Sequence, residues 1–290
     1  MKKHLIKLAI LIPGLIFLVW WGWVGNFSFT SGSFYAFEPR EDYYLLAAGQ
    51  KSLGYARRQV IVDERSKSLS LIEDSLINLS LLVTEGEIRS QSKITFSAGG
   101  ALESASMIIG LGPGEKPLAE MTGQVQDGQL RYLVSVGDHR REVVRPVPEV
   151  GPLLISAVIP WLARQRDLPL GRPIFFNLFD PSRLEFRPAS LTIIDVTAQA
   201  EEKKVYKLAL YLDPAQTEIW IDADGRVLSQ KATGLDFGQE VINDPRILET
   251  AKTALSAPAQ PGILQHIPRA LLDAVINQGV GSLWPGETER

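Results

Sequence analysis

The sequence predicts a mainly β protein with accessory helices: a single apolar N-terminal helix, a curved antiparallel sheet, and a helical C-terminal tail. Three observations support this fold class. Residues 5–24 form one long apolar run, residues 43–238 alternate short extended segments with turn signals, and residues 239–290 change to helical periodicity. With 290 residues, the chain is long enough to bury a substantial core.

The N-terminal apolar run has the properties of a membrane anchor. Residues 5–24 are apolar apart from Lys7, and roughly 20 such residues cross a bilayer core. Lysines precede the run and tryptophans end it, so the positive-inside rule places the N-terminus in the cytoplasm. We therefore expect residues 1–25 to be a single-pass signal-anchor in the bacterial inner membrane, with the C-terminal domain in the periplasm. A cleaved signal peptide is the alternative, but tryptophans occupy the zone where cleavage needs small residues.

Composition excludes several classes of function. The formal net charge of −3 includes three lysines at the N-terminus, so the part predicted to be exported is more acidic still. This charge argues against nucleic-acid binding. Cysteine is absent, which excludes disulfides, thiolate nucleophiles and cysteine-ligated metals.

The first half of the exported part reads as a β series. Residues 26–42, with alternating aromatics, are predicted to be a juxtamembrane connector. Asp127-Gly128 between two alternating segments is the strongest short-range hairpin signal in the chain. The predicted strands are 43–48, 53–63, 69–83, 88–96, 101–109, 118–126, 129–136 and 139–145.

Residues 152–168 are predicted to be a helix inserted into this β domain. Its side chains are apolar on nearly all sides, so it must be buried in the core, inserted into a groove, or laid on a membrane. If it gates a ligand site, Leu154, Val158, Trp161 and Leu162 are the candidate ligand-binding residues. If it is core, the same residues only pack.

The β pattern then resumes and gives way to helices. Strands are predicted at 173–179, 185–199, 205–212, 218–222 and 226–231. In the tail, Asp244-Pro245 is typical of the cap and first position of a helix, and residues 268–278 form a second amphipathic segment.

No motif for catalysis or for a cofactor stands out. His139 and His266 have no partner at the spacing of a metal site or a catalytic triad. The glycines at 110–114 do not have the spacing of a phosphate-binding loop, and the residues at 222–225 are better explained as a hairpin turn than as a calcium loop. We therefore expect no metal and no cofactor.

Charged residues are open to two interpretations. Arg57 and Arg58 could join a basic face near anionic headgroups, but a solvated sheet face balanced by the many acids of the chain is the favoured interpretation. The remaining members of that face would be Arg131, Arg140, Arg141 and Arg145. The adjacent carboxylates Glu73-Asp74 and Glu201-Glu202 should point to opposite faces of a strand, so neither makes an acid/base pair.

Four short motifs, together with the predicted helix at 152–168, carry a resemblance to a known family. The motifs are Ser52-Leu53-Gly54-Tyr55, Leu170-Gly171-Arg172, Phe179-Asp180-Pro181 and the segment 219–228, Ile-Trp-Ile-Asp-Ala-Asp-Gly-Arg-Val-Leu. Their order over residues 43–234 resembles a bacterial envelope β domain of unknown function that often precedes transglutaminase-like domains. That domain is similar in architecture to lipoprotein-carrier (LolA/LolB-like) half-barrels, which implies a half-barrel-like sheet that holds acyl chains. We expect no transglutaminase-like domain in the residues after 234, and the resemblance supplies no catalytic residue.

Two classes of function remain open. The first is a non-enzymatic, membrane-anchored module that binds an apolar ligand, such as a lipid acyl chain, or docks an envelope partner protein. A purely structural subunit of a membrane complex shares every feature of this class. The second is an envelope hydrolase with an Asp/Glu-based site that a single sequence does not reveal.

Overall fold

The structure, a computed structural model, describes residues 24–26, 39–66, 68–78, 87–97, 102–110, 117–136, 139–147, 152–154, 170–180, 185–198, 204–213, 215–224, 226–233 and 237–257. These residues form sixteen strands and one helix, α1 (Pro245–Ser256). The strands are β1 (Val24–Asn26), β2 (Arg40–Ala48), β3 (Lys51–Asp63), β4 (Ser68–Asn78), β5 (Glu87–Phe96), β6 (Leu102–Gly110), β7 (Ala119–Gln126), β8 (Gln129–Val136), β9 (His139–Pro146), β10 (Pro152–Leu154), β11 (Pro173–Asp180), β12 (Glu185–Ala198), β13 (Lys204–Leu212), β14 (Ala215–Asp222), β15 (Val227–Ala232) and β16 (Phe237–Val241).

Fourteen of these strands form one antiparallel sheet made of two meanders. One arm runs from β11 to β16 and the other from β2 to β9, in each case in sequence order. The pairing of β16 with β2 joins the arms, so the end of the second half of the chain lies beside the start of the first. Within the described residues, β9 and β11 are therefore the two edge strands of this sheet.

Local sequence explains the turns and the curvature. Asp127 and Gly128 both have positive φ, 52° and 69°, as the tight turn between β7 and β8 requires. Irregular registers occur in several pairs, for example between Leu46 and Ala47 in β2, and such bulges increase the local bend and twist of a sheet. Gly54, the partner of Leu46, lies at this irregularity, and a Cβ there would approach the carbonyl oxygen of Leu76 to 1.9 Å. Only glycine allows β3 and β4 to come so close.

Curvature brings the inner faces of the two arms into a common core. A first apolar cluster, which we call the main cluster, includes Leu71 and Tyr132 from one arm together with Leu191 and Leu208 from the other. A second cluster, the minor cluster, lies near the junction of the arms and includes Tyr44, Ile77 and Val241. Burial of such side chains, at roughly 1.5–3 kcal/mol each, is the main source of stability of this sheet.

Helix α1 covers the outer face of the sheet near the junction. Asp244 accepts a hydrogen bond from the backbone N–H of Arg246 and so caps the N-terminus, followed by Pro245 as the first helical residue. At the C-terminus, the guanidinium of Arg89 donates to the carbonyls of Ala254 and Leu255, at 2.9 and 3.1 Å. These carbonyls have no partner within a helix, and a cation there also favours the helix dipole. α1 contacts β2, β3 and β4.

The predicted fold class is confirmed at the level of a mainly β protein with a large, curved antiparallel sheet. Among the differences from the prediction, two bear on the junction of the arms. β2 begins at Arg40, although residues 40–42 were assigned to the connector; ion pairs within the fold compensate the charges of these three residues, as described below. β16 was not predicted, because Phe237–Val241 is short and gains its hydrogen bonds only from β15 and β2.

The prediction of a helix at 152–168 is wrong for its first three residues. Pro152–Leu154 is extended and pairs with Val24–Asn26, so β1 and β10 form a separate two-stranded ribbon that contacts β11. A short apolar run is compatible with helix or strand, and here a partner more than a hundred residues upstream provides the backbone hydrogen bonds. Residues 155–168 lie outside the described part of the chain.

Of the predicted membrane anchor, residues 1–25, the structure describes only the last two residues. Val24 and Gly25 belong to β1 rather than to a helix, and residues 1–23 are not described. α1, the one helix among the described residues, is too short and too polar to cross a bilayer. The second predicted tail helix, at 268–278, lies outside the described residues as well.

Candidate functional site

Four residues at one register of β2, β3, β4 and β5 place polar groups inside the sheet. Asp42 pairs with Arg58, Arg58 with Glu73, and Glu73 with Ser92, so the four side chains lie side by side on the inner face. All four residues are buried. Together with Arg226 and Arg40, described below, we call this row the charged belt.

At the centre of the belt is a buried ion pair. The Nε and Nη2 atoms of Arg58 both donate to Oε2 of Glu73, at 3.0 and 2.8 Å. The Arg58 guanidinium also lies over the ring of Tyr44, with its Cζ 4.7 Å from the ring centroid. Burial raises the pKa of Tyr44 to about 12, while the positive charge of Arg58 opposes this shift. Tyr44 therefore stays a neutral phenol beside a permanent cation.

At one end of the belt, Asp42 binds two arginines. Nε of Arg226 donates to Oδ1 of Asp42 at 2.6 Å, and Nε of Arg40 lies 3.4 Å from Oδ2. Arg226 comes from the connection between β14 and β15, so this contact ties the two arms together across the end of β16. Arg40 also donates to the carbonyl of Asp224 in the same connection, at 3.2 Å.

The turn that presents Arg226 is organised by Asp222. Its Oδ1 accepts the backbone N–H groups of Asp224 and Arg226, at 3.0 and 2.8 Å, an arrangement typical of an Asx turn. This agrees with the interpretation of residues 222–225 as a hairpin turn. Burial raises the pKa of Asp222; the backbone hydrogen bond from Arg226 lowers it, and the charge of Asp224 adds to the rise.

The belt divides two apolar regions of the inner face. Along β3, Arg58 lies between Ala56 of the minor cluster and Val60 of the main cluster. Along β4, Glu73 lies between Leu71 of the main cluster and Ile77 of the minor one. The interior is therefore amphipathic, with ions at one level and hydrocarbon above and below.

This arrangement limits the chemistry available to the belt. Both carboxylates of the belt, Asp42 and Glu73, already accept charge-assisted hydrogen bonds from arginine side chains. Among the described residues, no group of three or more His, Asp or Glu side chains is placed to bind a metal ion. The contacts of the belt tie β3 to β4 and β2 to the β14–β15 connection.

The hypothesis of a single basic face is wrong for the described residues. Arg58 is buried inside the sheet, whereas Arg57 lies on the outer face, with its Nε donating to Oδ2 of Asp74 at 3.0 Å. Glu73 and Asp74 likewise point to opposite faces, as predicted from their adjacency in a strand. On the outer face at the far edge, Arg131 lies 3.9 Å from Glu142.

The predicted ligand-binding residues are mostly beyond the described part of the chain. Leu154 lies in β10, opposite Val24 and in the ribbon beside β11. Val158, Trp161 and Leu162 are not described. The belt, in contrast, was missed by the sequence analysis. Its signal is a charge at an inward position of an otherwise apolar alternation, such as Arg58 between Ala56 and Val60, matched by the opposite charge on the next strand.

The two edge strands differ in character. β9 carries Arg140, Arg141 and Arg145, and charges of this kind prevent an edge from pairing with other chains. β11 has one charged residue, Asp180, and an exposed Phe175 with 76% of its surface accessible. On the inner face, Val143 of β9 belongs to the main cluster, and Ile174 of β11 packs against it.

Comparison with known proteins gives no family. No protein-family model matches the sequence, and no curated protein matches it. Among solved structures, the chain is similar to one described as a beta-barrel-like protein of a domain of unknown function from Brucella abortus, at 11% sequence identity and a TM-score of 0.49. The match covers 70% of this chain and 95% of that chain.

Proposed function

We propose that this protein is a non-catalytic β-sheet module of the bacterial envelope that binds a lipid acyl chain against the inner face of its sheet. In this proposal, residues 5–24 anchor the chain in the inner membrane and the sheet lies in the periplasm. The anchor places the module beside its source of ligand, because acyl chains are available at the membrane surface.

One observation supports ligand binding above the others: the apolar inner face continues to both edges of the sheet. Val143 belongs to the main cluster and Ile174 packs against it, although both lie on edge strands. The apolar inner face therefore extends to both edges of the sheet. An acyl chain bound there would exchange water for contact with this surface, at about 0.8 kcal/mol for each buried CH₂ group.

The resemblance to lipoprotein-carrier half-barrels supports the same ligand class. Those proteins hold acyl chains on the concave face of a curved antiparallel sheet. Two residues of the motifs that resemble the related envelope domain help to hold the sheet together in this protein. Gly54 allows the close approach of β3 and β4, and Arg226 anchors the β14–β15 connection to Asp42.

Two other functions predict different observations. A docking module for an envelope partner would bury the exposed Phe175 against that partner rather than bind lipid. The hydrolase alternative has one supporting observation, the raised pKa of Asp222, but the two backbone hydrogen bonds to its Oδ1 already give this residue a role in the turn.

Native mass spectrometry of the full-length chain, released from detergent, tests the proposal. We expect a bound species with the mass of a lipid or fatty acid to remain after extensive washing and to be replaced by added fatty acid. Trp161→Ala should reduce this occupancy while the protein remains folded. Trp220→Ala is the matched control, because Trp220 lies on the outer face under Lys207.

A lack of acyl-chain binding would contradict the proposal. If neither co-purified nor added acyl chains bind, and Trp161→Ala instead costs about 3–5 kcal/mol of stability, then Trp161 belongs to the core and the acyl-chain proposal is wrong. Capture of a specific envelope protein that Phe175→Ala abolishes would then favour the docking function.

A further inference from the structure

We infer that the ligand carries an uncharged, hydrogen-bonding head group, and that Thr217, Gln230 and Gln239 bind it near one end of the sheet. This inference rests on the proposed function and adds the class of ligand. The three residues lie on the neighbouring strands β14, β15 and β16, and all three are buried. Gln230 pairs with Gln239 and with Ile219 of the main cluster, so both glutamines lie on the inner face. Thr217, two residues before Ile219 in β14, shares that face.

The protein does not use the full hydrogen-bonding capacity of these three side chains. The hydroxyl of Thr217 is buried and has no hydrogen-bond partner among the described residues. Nε2 of Gln239 donates to Oε1 of Gln230 at 3.0 Å, whereas Nε2 of Gln230 and Oε1 of Gln239 make no further hydrogen bond within the part of the chain that the structure describes. Buried polar groups in proteins nearly always have a partner, because the lack of one costs free energy. A hydroxyl, an amide N–H and a carbonyl are therefore available to another molecule.

The three residues lie close to the end of the sheet. β15 ends at Ala232 and β16 begins at Phe237, and these two residues pair with each other. Ala232 also pairs with Thr217, and Phe237 pairs with Ala48, the last residue of β2. Phe237 and Ala48 are only partly buried. Thr217 thus shares its row with the ends of three strands, and the two glutamines form the next row inward.

An apolar surface for the acyl chain begins directly beside this group. Along β14, Thr217 is followed on the same face by Ile219 and Ile221, which are both fully buried members of the main cluster. A head group bound at Thr217 therefore places the attached acyl chain against the main cluster. The arrangement matches an amphiphile whose polar end stays near the end of the sheet.

The lack of charge at these positions determines the type of head group. No inward position of β14, β15 or β16 carries a charged residue. An anion buried there without a cation would cost far more free energy than a neutral group. The arginines of the charged belt bind Asp42 and Glu73, and Asp42 lies four residues along β2 from the partner of Gln239, a separation of about 13 Å. Lys51, at the start of β3, is exposed, so salt screens its charge.

An acylglycerol has the required chemistry. Its hydroxyl groups donate and accept hydrogen bonds, its ester carbonyl accepts them, and neither group is charged. A free fatty acid at neutral pH presents a carboxylate instead, and a simple methyl ester has no donor.

Competition between three ligands with the same acyl chain tests this inference. The full-length protein in mild detergent is incubated with equal amounts of 1-monopalmitoylglycerol, methyl palmitate and palmitate, and native mass spectrometry counts each bound species. We expect the glycerol ester to exceed each of the others by at least about fivefold, the value of one hydrogen bond. Thr217→Val should lower its preference over methyl palmitate, and Gln230→Leu/Gln239→Leu should lower it as well.

Thermal unfolding gives a second, independent measurement. Thr217→Val keeps the shape of the side chain and removes the buried hydroxyl, so we expect the variant without ligand to melt at a higher temperature than the wild type. Added 1-monopalmitoylglycerol should raise the melting temperature of the wild type more than that of the variant. Thr192→Val is the matched control, because Thr192 lies on the outer face of β12 in the same arm, opposite Ala209. It should leave the ligand preference unchanged.

The possible failures are distinct. Equal binding of the glycerol ester and methyl palmitate overturns the polar head group and leaves acyl-chain binding intact, and a preference for palmitate overturns its lack of charge. A preference that survives both Thr217→Val and the double glutamine variant overturns the assignment to these residues, as does a lower melting temperature of Thr217→Val combined with unchanged preference. Binding of none of the ligands overturns the proposed function together with this inference.

Discussion

The Arg58–Glu73 pair and the Arg57–Asp74 pair occupy consecutive registers of the same two strands and face opposite sides of the sheet. Inside, the two side chains are 4% and 2% exposed; outside, they are 33% and 17% exposed. Both arginines use Nε and Nη2 to reach one carboxylate oxygen. The two pairs therefore have similar geometry and chemistry, and differ mainly in their access to water.

That difference decides what each pair contributes. The outer pair is solvated when broken, so it is worth at most about 1 kcal/mol, even with Gln91 donating to Oδ1 of Asp74 at 2.7 Å. Burial would lower the pKa of Arg57, but the hydrogen bond and the charge of Asp74 outweigh it and raise that pKa. The inner pair gains little when both charges are desolvated together, but loss of one partner leaves an isolated charge in the core.

The largest expected effect is therefore that of Glu73→Ala. It leaves Arg58 buried without its main counter-ion and should cost about 3–5 kcal/mol of unfolding free energy. Asp74→Ala, one residue away on the same strand, should cost about 1 kcal/mol or less. Urea unfolding of the full chain in mild detergent, followed by circular dichroism, measures both; equal costs would mean that burial does not distinguish the two pairs.

Replacement of the whole inner pair refines this prediction. In Arg58→Met/Glu73→Leu, apolar side chains of similar volume connect the main and minor clusters. Because no charge is left to desolvate, we expect stability within about 1 kcal/mol of the wild type, or higher. A double variant as unstable as Glu73→Ala would show that the belt is required for the strand register itself.

Asp42→Asn should have an intermediate effect. Asp42 is buried, but its partners Arg226 and Arg40 are 35% and 21% exposed and can regain water when the charge is removed. We expect a loss of about 1.5–3 kcal/mol, the range for hydrogen bonds to charged groups. Chemical unfolding is again the measurement, with Glu41→Gln as a control on the exposed side of the same strand. If Asp42→Asn cost no more stability than the control, the contacts of Asp42 with the two arginines would not contribute to the stability of the belt.

The outer pair should respond to salt, and the inner pair should not. Raising the ionic strength to about 1 M shortens the Debye length to roughly 3 Å. The difference between wild type and Arg57→Gln, already below about 1 kcal/mol, should then shrink towards zero. The cost of Glu73→Ala should persist at the same salt concentration. If the stability cost of Arg57→Gln did not change with salt concentration, the outer pair would be less solvated than its exposure indicates.

The smallest effect is expected at Asp222, which is half-buried. Burial raises its folded-state pKa above that of an unfolded aspartate, so its contribution to stability is complete only below the unfolded-state value and is lost as the pH rises through the folded-state value. At neutral pH the ionised carboxylate opposes folding. Asp222→Asn keeps the acceptor for the two turn N–H groups and should raise the melting temperature slightly at pH 7.

The pH dependence distinguishes this effect from a change in packing. The advantage of Asp222→Asn should shrink as the pH falls below about 4, where the wild-type side chain also becomes neutral. Asp222→Ala, which removes the acceptor, should destabilise the turn at every pH. An Asn variant less stable than the wild type at pH 7 would mean that the attraction of Arg40 outweighs burial.

Most strands could be predicted from the sequence because alternation and turn chemistry act locally. The hairpin at Asp127-Gly128 was predicted and observed, since two residues with positive φ suffice to define it. The helix that begins after Asp244 was predicted for the same reason, from its cap and its first proline. Features that depend on a distant partner were missed: β16 needs β15 and β2, and β10 needs β1.

The charged belt shows the same contrast, between what local sequence determines and what a distant partner determines, at the level of single residues. The sequence determined that Arg57 and Arg58, like Glu73 and Asp74, must point to opposite faces, because side chains alternate in a strand. Only the tertiary structure decided which member of each pair is buried, since this depends on the direction in which the sheet curves. The contact between Arg226 and Asp42, 184 residues apart, likewise exists only because β16 pairs with β2 and joins the arms.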